Sequence, residues 1–270
     1  MNDIVNDQAL PHLGTAETRL ATILARPKPV AIACVVVLAA LGWGACALLP
    51  ADPAGAWFNA FCRPAVGRGF SAIDATLGLG MWAAMTLAMM LPTAGPMILT
   101  YAEIADTAAR KSEKVISPIV LIAGYTAVWL GFAAAAAFLQ ILLAPLIDGA
   151  TSRAPLAGVI FVVAGLYQFT SLKAACLTLC QRPFPFFFAN WTTRSRGVFV
   201  LGLRQGLYCV GCCWALMLVM FAVGAMNVLW MAALGVLMTI EKMSATTKFS
   251  RALGVSFVAI GVALMAKEFM

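Results

Sequence analysis

The chain has 270 residues, of which 63% are hydrophobic and only 11% are charged, and its formal net charge is +7. Its apolar runs are long enough to cross a bilayer, which excludes an ordinary soluble domain and indicates a polytopic membrane protein. The alternating ten-residue segments of a transmembrane barrel do not occur in the sequence. The composition therefore predicts an all-α fold, a single transmembrane helical bundle.

Apolar segments predict seven membrane spans, near 29–49, 76–98, 119–143, 155–175, 199–223, 227–241 and 252–267. The last two are short, so a six-span arrangement with one interfacial or re-entrant segment stays open. Residues 1–28 are predicted to form a polar cytoplasmic tail and residues 29–270 one transmembrane domain. The first span begins late and lacks a clean cleavage site, so it is predicted to be a retained helix and not a signal peptide.

Lysine and arginine predict the orientation, because cytoplasmic connections retain positive charge. These residues are concentrated in the tail and in the connections near 110–114, 182–196 and 242–251, which alternate with connections that hold few of them. The N-terminus is therefore predicted to be cytoplasmic, in a bacterial inner membrane, and seven spans place the C-terminus outside. Anionic lipid accounts for the positive net charge, so no nucleic-acid partner is expected.

The second predicted span carries methionines and prolines in the string MWAAMTLAMMLPTAGPMILTY. Met81, Met85 and Met89 recur every four residues and thus share one helical face. Pro92 and Pro96 each remove a backbone donor, so this helix is predicted to kink. A methionine stripe is typical of helix packing, and it also resembles a ladder of thioether ligands for a soft metal.

The fifth predicted span concentrates sulfur in GLYCVGCCWALMLVM, residues 206–220. Cys209, Cys213 and Met217 repeat at four-residue intervals, and Cys212 lies on the adjacent surface. Thiolate and thioether ligands select Cu(I), and the only histidine, His12, lies in the tail. Zinc is less natural here, because structural zinc sites usually present cysteines on loops. The alternative is that these cysteines only fill the core as small apolar residues.

A second cysteine pair occurs in the string YQFTSLKAACLTLCQRP, residues 167–183. On a helix, Lys173, Cys176 and Cys180 share a face. The predicted orientation places this end in the cytoplasm, where thiols stay reduced, and Lys173 would favour the thiolate that binds metal. In the alternative interpretation Lys173 snorkels to the interface and the cysteines only pack.

Burying a charged side chain in a membrane costs free energy, so charged residues within or beside the spans are candidates for a functional or structural role. Here these residues are Arg204 and Glu241. We predict that they form an interfacial pair that fixes helix register, in preference to a proton relay. Gln168 and Asn227 are predicted to make interhelical hydrogen bonds.

The three strings, the last extending from GLYCVGCC to GVLMTIEK, resemble the signature blocks of a bacterial family of predicted metal-binding integral membrane proteins. The resemblance covers roughly residues 76–260 and implies metal binding. One departure is Gln181-Arg182-Pro183, where the family pattern has Arg-Ser-Pro, so a role for an arginine directly after Cys180 is in doubt. The residues that match the family pattern are Met85, Met89, Met90, Lys173, Cys176, Cys180, Cys209, Cys212, Cys213, Met217 and Glu241.

The predicted function is binding of a soft transition metal, with Cu(I) favoured, and its transport or delivery. The predicted ligands are Cys209, Cys212, Cys213, Met217, Cys176, Cys180, Met85 and Met89, with Lys173 and Glu241 in support. No nucleotide-binding motif occurs, and no enzymatic activity is expected. The expected partners are membrane lipid, the metal ion, and a metallochaperone or copper-enzyme subunit.

Two alternatives from other classes remain open. The first is a membrane thiol-disulfide oxidoreductase that passes electrons between the Cys176/Cys180 and Cys209/Cys212 pairs. The predicted positions of these cysteines argue against it, because such enzymes exchange with partner thiols on the oxidising side of the membrane. Cys62 is the only cysteine predicted to lie on that side. The second is a non-catalytic assembly factor or accessory subunit of a membrane copper enzyme, in which the sulfur-rich face only packs helices.

Overall fold

The computed structural model of the protein describes residues 27–48, 72–147, 153–223, 228–244 and 246–266. Within these ranges the chain forms ten helices and no strand, which confirms the all-α fold. His12, Cys62, Asn227 and most of the predicted tail lie outside the described residues.

In chain order the helices are α1 (Pro27–Leu48), α2 (Ala72–Thr93), α3 (Gly95–Arg110), α4 (Pro118–Ile147), α5 (Arg153–Tyr167), α6 (Ser171–Gln181), α7 (Pro183–Ala189), α8 (Ser195–Val223), α9 (Val228–Met243) and α10 (Lys248–Ala266).

Four of these helices, α1, α4, α8 and α10, are long and apolar enough to cross a membrane. Two bent pairs, α2 with α3 and α5 with α6, raise the number to six if each pair forms one span. The remaining predicted span corresponds to α9, which has 16 residues and a length of about 24 Å. The predicted count of seven spans therefore exceeds the four to six that length and composition support.

The predicted kink of the second span is confirmed, since α2 and α3 meet at an angle of 58°. Pro92 lies inside α2 and Pro96 lies at the start of α3, so two successive turns lack a backbone donor. The carbonyl oxygen of Met90 nevertheless accepts the Ala94 amide at 3.0 Å. The chain thus bends without separating the two helices.

The predicted span 155–175 is not one straight helix, because it breaks after Tyr167 and bends by 66° into α6. Thr170 adopts an extended conformation and accepts a hydrogen bond from the Lys173 amide, which makes it the N-cap of α6. The bend turns α6 against α8 and α9, and this packing positions the cysteines described below.

Close contact between α4 and α8 fixes the central helix of the bundle. Gly124 of α4 and Gly202 of α8 lie at the crossing, and a methyl group on either would collide with the backbone of the other helix. Small residues at such a crossing let two backbones approach closely, as in membrane helix pairs. The α4 and α8 contact holds α8 in the middle of the buried core.

The outer surface of the bundle is apolar. Val36 of α1, Phe138 and Leu142 of α4, and Val255 of α10 are each more than half exposed. Water solvates such a surface poorly, whereas lipid chains solvate it well. The exterior is therefore compatible with a membrane environment.

Candidate metal centre

Three cysteines of α8 form a compact cluster in the core. The Sγ atoms of Cys209, Cys212 and Cys213 all lie within 4.8 Å of one another, and that of Cys212 is 3.2 Å from that of Cys213. All three side chains are buried. The i, i+3, i+4 spacing places them on one face of the helix, as the sequence predicted.

A fourth thiol comes from α6. The Sγ atom of Cys180 lies 3.9 Å from that of Cys212. Cys176, one turn earlier, packs against Gly211, where an added methyl group would come within 2.6 Å of its sulfur. The structure thus brings Cys180 into the cluster and places Cys176 beside it, against the backbone of α8.

A lysine of α9 contacts the cluster directly. The ammonium group of Lys242 donates to Cys209 Sγ at 3.1 Å and to the hydroxyl oxygen of Thr93 at 2.7 Å. A cation at this distance favours the thiolate form of a cysteine, which is the form that binds metal. The positive charge beside the thiols therefore comes from Lys242, whereas the sequence had assigned this role to Lys173.

The kink of α2 contributes polar groups to the same site. The carbonyl oxygen of Met90 accepts hydrogen bonds from Thr93 at 2.9 Å and from the hydroxyl of Tyr125 at 3.1 Å. The Tyr125 oxygen also lies 3.0 Å from Cys209 Sγ. Tyr125 and Thr93 therefore hold Cys209 and Lys242 in place from α4 and α2.

Lys173 and Glu241 form a buried ion pair beside the cluster. Their charged groups lie 2.8 Å apart, and each side chain is only 1% exposed. Lys173 also donates to the carbonyl oxygen of Cys212 at 3.1 Å. The snorkelling interpretation of Lys173 is therefore wrong, and so is the pairing of Glu241 with Arg204, which is exposed.

The predicted methionine ligands lie in the core around the thiols. Met85 and Met89 of α2 and Met217 of α8 are buried, and Met89 packs against Gly235 of α9. Their membership in one hydrophobic core with the cysteines is confirmed. Their role as metal ligands stays a prediction.

A cavity of about 240 Å³ opens next to the thiols. Cys180, Cys209, Tyr125 and Lys242 line it, and so does Met97 of α3. A small ion that enters this cavity therefore meets two thiols of the cluster and a thioether. The other polar side chains that line it are Thr93, Gln181, Gln205 and Thr239.

The donor set suits a soft cation. It consists of four thiols, and among the described residues no histidine or carboxylate belongs to the cluster. Sulfur ligands of this kind select Cu(I) over hard cations such as magnesium. The ammonium of Lys242 offsets part of the negative charge that thiolates bring into a buried site.

Sequence reasoning missed Tyr125, Thr93 and Lys242 as members of the site. A signal existed for Lys242, because it directly follows Glu241 at the end of an apolar segment, where charges are costly. Tyr125 carried no comparable signal, since a tyrosine in an apolar span is common at helix contacts.

These features define a helical protein with a buried cluster of thiols whose chemistry suits a soft metal ion. A family model described as a copper chaperone, PpoB2, matches residues 79–264, which include every residue of the site described above. Because the match covers more than half of the chain, the protein belongs to this copper chaperone family. No curated protein sequence and no solved structure matches the chain.

Proposed function

We propose that the protein is an integral inner-membrane protein that binds Cu(I) through its clustered thiols and delivers it to a partner. The observation that carries this proposal is the convergence of Cys180, Cys209, Cys212 and Cys213 from two helices next to a cavity. Membership in the copper chaperone family supports copper as the metal. The protein acts here as a carrier and not as an enzyme.

Charge balance explains how a buried site tolerates this cargo. Two thiolates with one Cu(I) ion leave a net charge of −1, and the ammonium of Lys242 lies 3.1 Å from Cys209 Sγ to offset it. Lys173 is already neutralised by Glu241. The positive charge that compensates a bound thiolate is therefore that of Lys242.

The cavity supplies the route for transfer. Met97 and Cys180 lie on its wall with Cys209, so a copper ion can exchange between thioether and thiolate ligands without crossing a hard-ligand site. The sequence holds no nucleotide-binding motif, so transport in this proposal is passive, ion-coupled or driven by a partner. A metallochaperone on one side and a copper-enzyme subunit on the other are the partners that fit this role.

We further propose seven crossings with a cytoplasmic N-terminus. Gln181 at the end of α6 donates to the carbonyl oxygens of Glu241 and Ser244 at the end of α9, at 3.0 and 2.7 Å. The connections that follow these two helices therefore lie at the same end of the bundle, which supports α9 as a short return crossing after α8. The ion pair of Lys28 with Glu103, at 2.8 Å, links the start of α1 to α3.

Metal analysis of the purified protein tests the proposal. The wild type should retain copper, and the variant Cys209→Ser with Cys213→Ser should lose it. Cys46→Ser is the matched control, because Cys46 is equally buried but lies on α1, outside the cluster. Background copper in the wild type, or equal loss in the control, would overturn the proposal.

Thiol redox activity is the second candidate function, because one distance favours it. The sulfurs of Cys180 and Cys212 lie 3.9 Å apart on two helices, so a modest shift would allow a disulfide. Thiol trapping under reducing and oxidising conditions separates the two functions. A disulfide that forms reversibly between α6 and α8, in protein without copper, favours the oxidoreductase.

A further inference from the structure

A second cavity, of about 200 Å³, lies where the break between α5 and α6 meets the start of α10. Its wall is polar and positively charged, and no acidic side chain lines it among the described residues. Gln181 also borders the copper cavity, so the two spaces lie on either side of this residue. The polar lining residues are Gln168, Thr170, Lys173, Thr178, Gln181, Arg182, Thr246, Thr247, Ser250 and Arg251.

Two buried side chains in this wall lack partners. Gln168 is 5% exposed and Ser250 is 6% exposed. Neither the amide nitrogen and oxygen of Gln168 nor the hydroxyl of Ser250 has a hydrogen-bond partner in the described part of the chain. The predicted interhelical hydrogen bond of Gln168 is therefore not formed. Leaving such groups unpaired is costly, which indicates that something else hydrogen-bonds to them.

The charge of the wall selects the sign of that ligand. The charge of Lys173 is compensated by Glu241, whereas Arg182 and Arg251 form no ion pair among the described residues. The amino ends of two helices reach the same cavity, through Thr170 before α6 and Thr247 before α10. Helix amino ends and guanidinium groups both stabilise an anion.

We propose that this cavity binds a phosphate-type oxyanion, either free phosphate or the phosphate of an anionic lipid headgroup. The available donors are hydroxyl, amide and guanidinium groups, which match the several oxygens of a tetrahedral oxyanion. In the proposed topology the cavity lies at the positively charged end of the bundle, where anionic headgroups gather. The site is separate from the thiols, although Lys173 contacts both the cavity and the Cys212 carbonyl.

Two binding measurements on the full-length protein distinguish the sources. In phosphatidylcholine nanodiscs, equilibrium dialysis with radiolabelled inorganic phosphate reports the free anion. In discs that also contain phosphatidylglycerol, native mass spectrometry reports retained anionic lipid. Arg182→Gln with Arg251→Gln should weaken binding in either assay by about tenfold or more. Ser250→Ala, a milder change, should weaken it in the same direction.

The matched control is Arg194→Gln with Arg196→Gln, which removes two exposed arginines that do not line the cavity. The site is supported if saturable phosphate binding or selective lipid retention is lost in the cavity variant and kept in the control. The assay that shows this loss identifies whether the bound anion is free phosphate or a lipid headgroup. Absence of both, or equal loss in both double variants, overturns it. Copper content measured on the same samples should stay at the wild-type level, so a failure here leaves the copper proposal intact.

Discussion

At the scale of single residues, Lys242 supplies the positive charge that contacts the thiol cluster. Its ammonium touches Cys209 Sγ at 3.1 Å, and a charge-assisted contact of this kind contributes about 1.5–3 kcal/mol. Lys242→Gln removes the charge and adds no soft metal ligand, so we expect Cu(I) affinity to fall by about tenfold or more. Competition with a Cu(I) chelator measures the change. Lys248→Gln is the control, since Lys248 is exposed and outside the site, and equal affinities in all three proteins would contradict this role.

The pair of Lys173 and Glu241 is a stability element next to the site. Removing one partner of a buried pair leaves an uncompensated charge and costs about 3–5 kcal/mol. Glu241→Gln should therefore lower the thermal unfolding midpoint in detergent clearly, whereas the exposed control Glu113→Gln should not.

The double variant Lys173→Met with Glu241→Gln tests the cause of that loss. It removes both charges, so it should recover much of the stability that Glu241→Gln loses. If the stability lost in the double variant equals the sum of the losses in Lys173→Met and Glu241→Gln measured singly, the two charges do not act as a pair.

At the scale of helices, Gly124 and Gly131 of α4 offer a direct comparison. An alanine methyl at Gly124 collides with the backbone carbonyl of Phe199, while nothing lies within 4 Å of the same position at Gly131. Gly124→Ala should destabilise the bundle by about 1–3 kcal/mol through overpacking. Gly131→Ala should stabilise it by about 0.5–1 kcal/mol through helix propensity. Thermal unfolding of both variants measures the contrast, and matching shifts of the same sign would show that the crossing is not tight.

How far the helices could be predicted depends on where each signal lies. Pro92 and Pro96 allow the kink of α2 to be predicted, because proline always lacks the backbone N–H that a helix needs as a hydrogen-bond donor. The break before α6 falls at Gln168-Phe169-Thr170, which contains neither proline nor glycine. The hydropathy pattern therefore predicts one continuous span across this break. The threonine N-cap was the available local signal.

The same distinction holds for the site. Helical spacing places Cys209, Cys212 and Cys213 on one face, since that relation is local. The contacts of Cys180 with Cys212 and of Lys242 with Cys209 join residues on different helices, 32 and 33 positions apart. The bend before α6 sets which neighbours Lys173 and Cys180 meet, so the ion pair with Glu241 could not be predicted from hydropathy and charge alone.

At the scale of the whole molecule, the thiol cluster and its contacts join helices that are distant in sequence. Cys180 belongs to α6 and Cys209 to α8, while Lys242 of α9 and Tyr125 of α4 contact Cys209. In the proposed function, an ion held by Cys180 and by the cysteines of α8 crosslinks α6 to α8, and α4 and α9 pack against the same cluster. Copper binding is therefore expected to report on the assembly of the fold as well as on the site.

Copper removal should consequently lower the stability of the entire bundle. A ligand that binds only the folded state at 1,000 times its dissociation constant adds about 4 kcal/mol to the free energy of unfolding. Copper-loaded protein should thus unfold at a clearly higher temperature than protein stripped by a Cu(I) chelator, and added Cu(I) should restore the difference. The variant Cys209→Ser with Cys213→Ser should unfold at the same temperature with and without added Cu(I). A copper-dependent shift of equal size in that variant would place the stabilising ion elsewhere, because two of the three clustered thiols of α8 are gone.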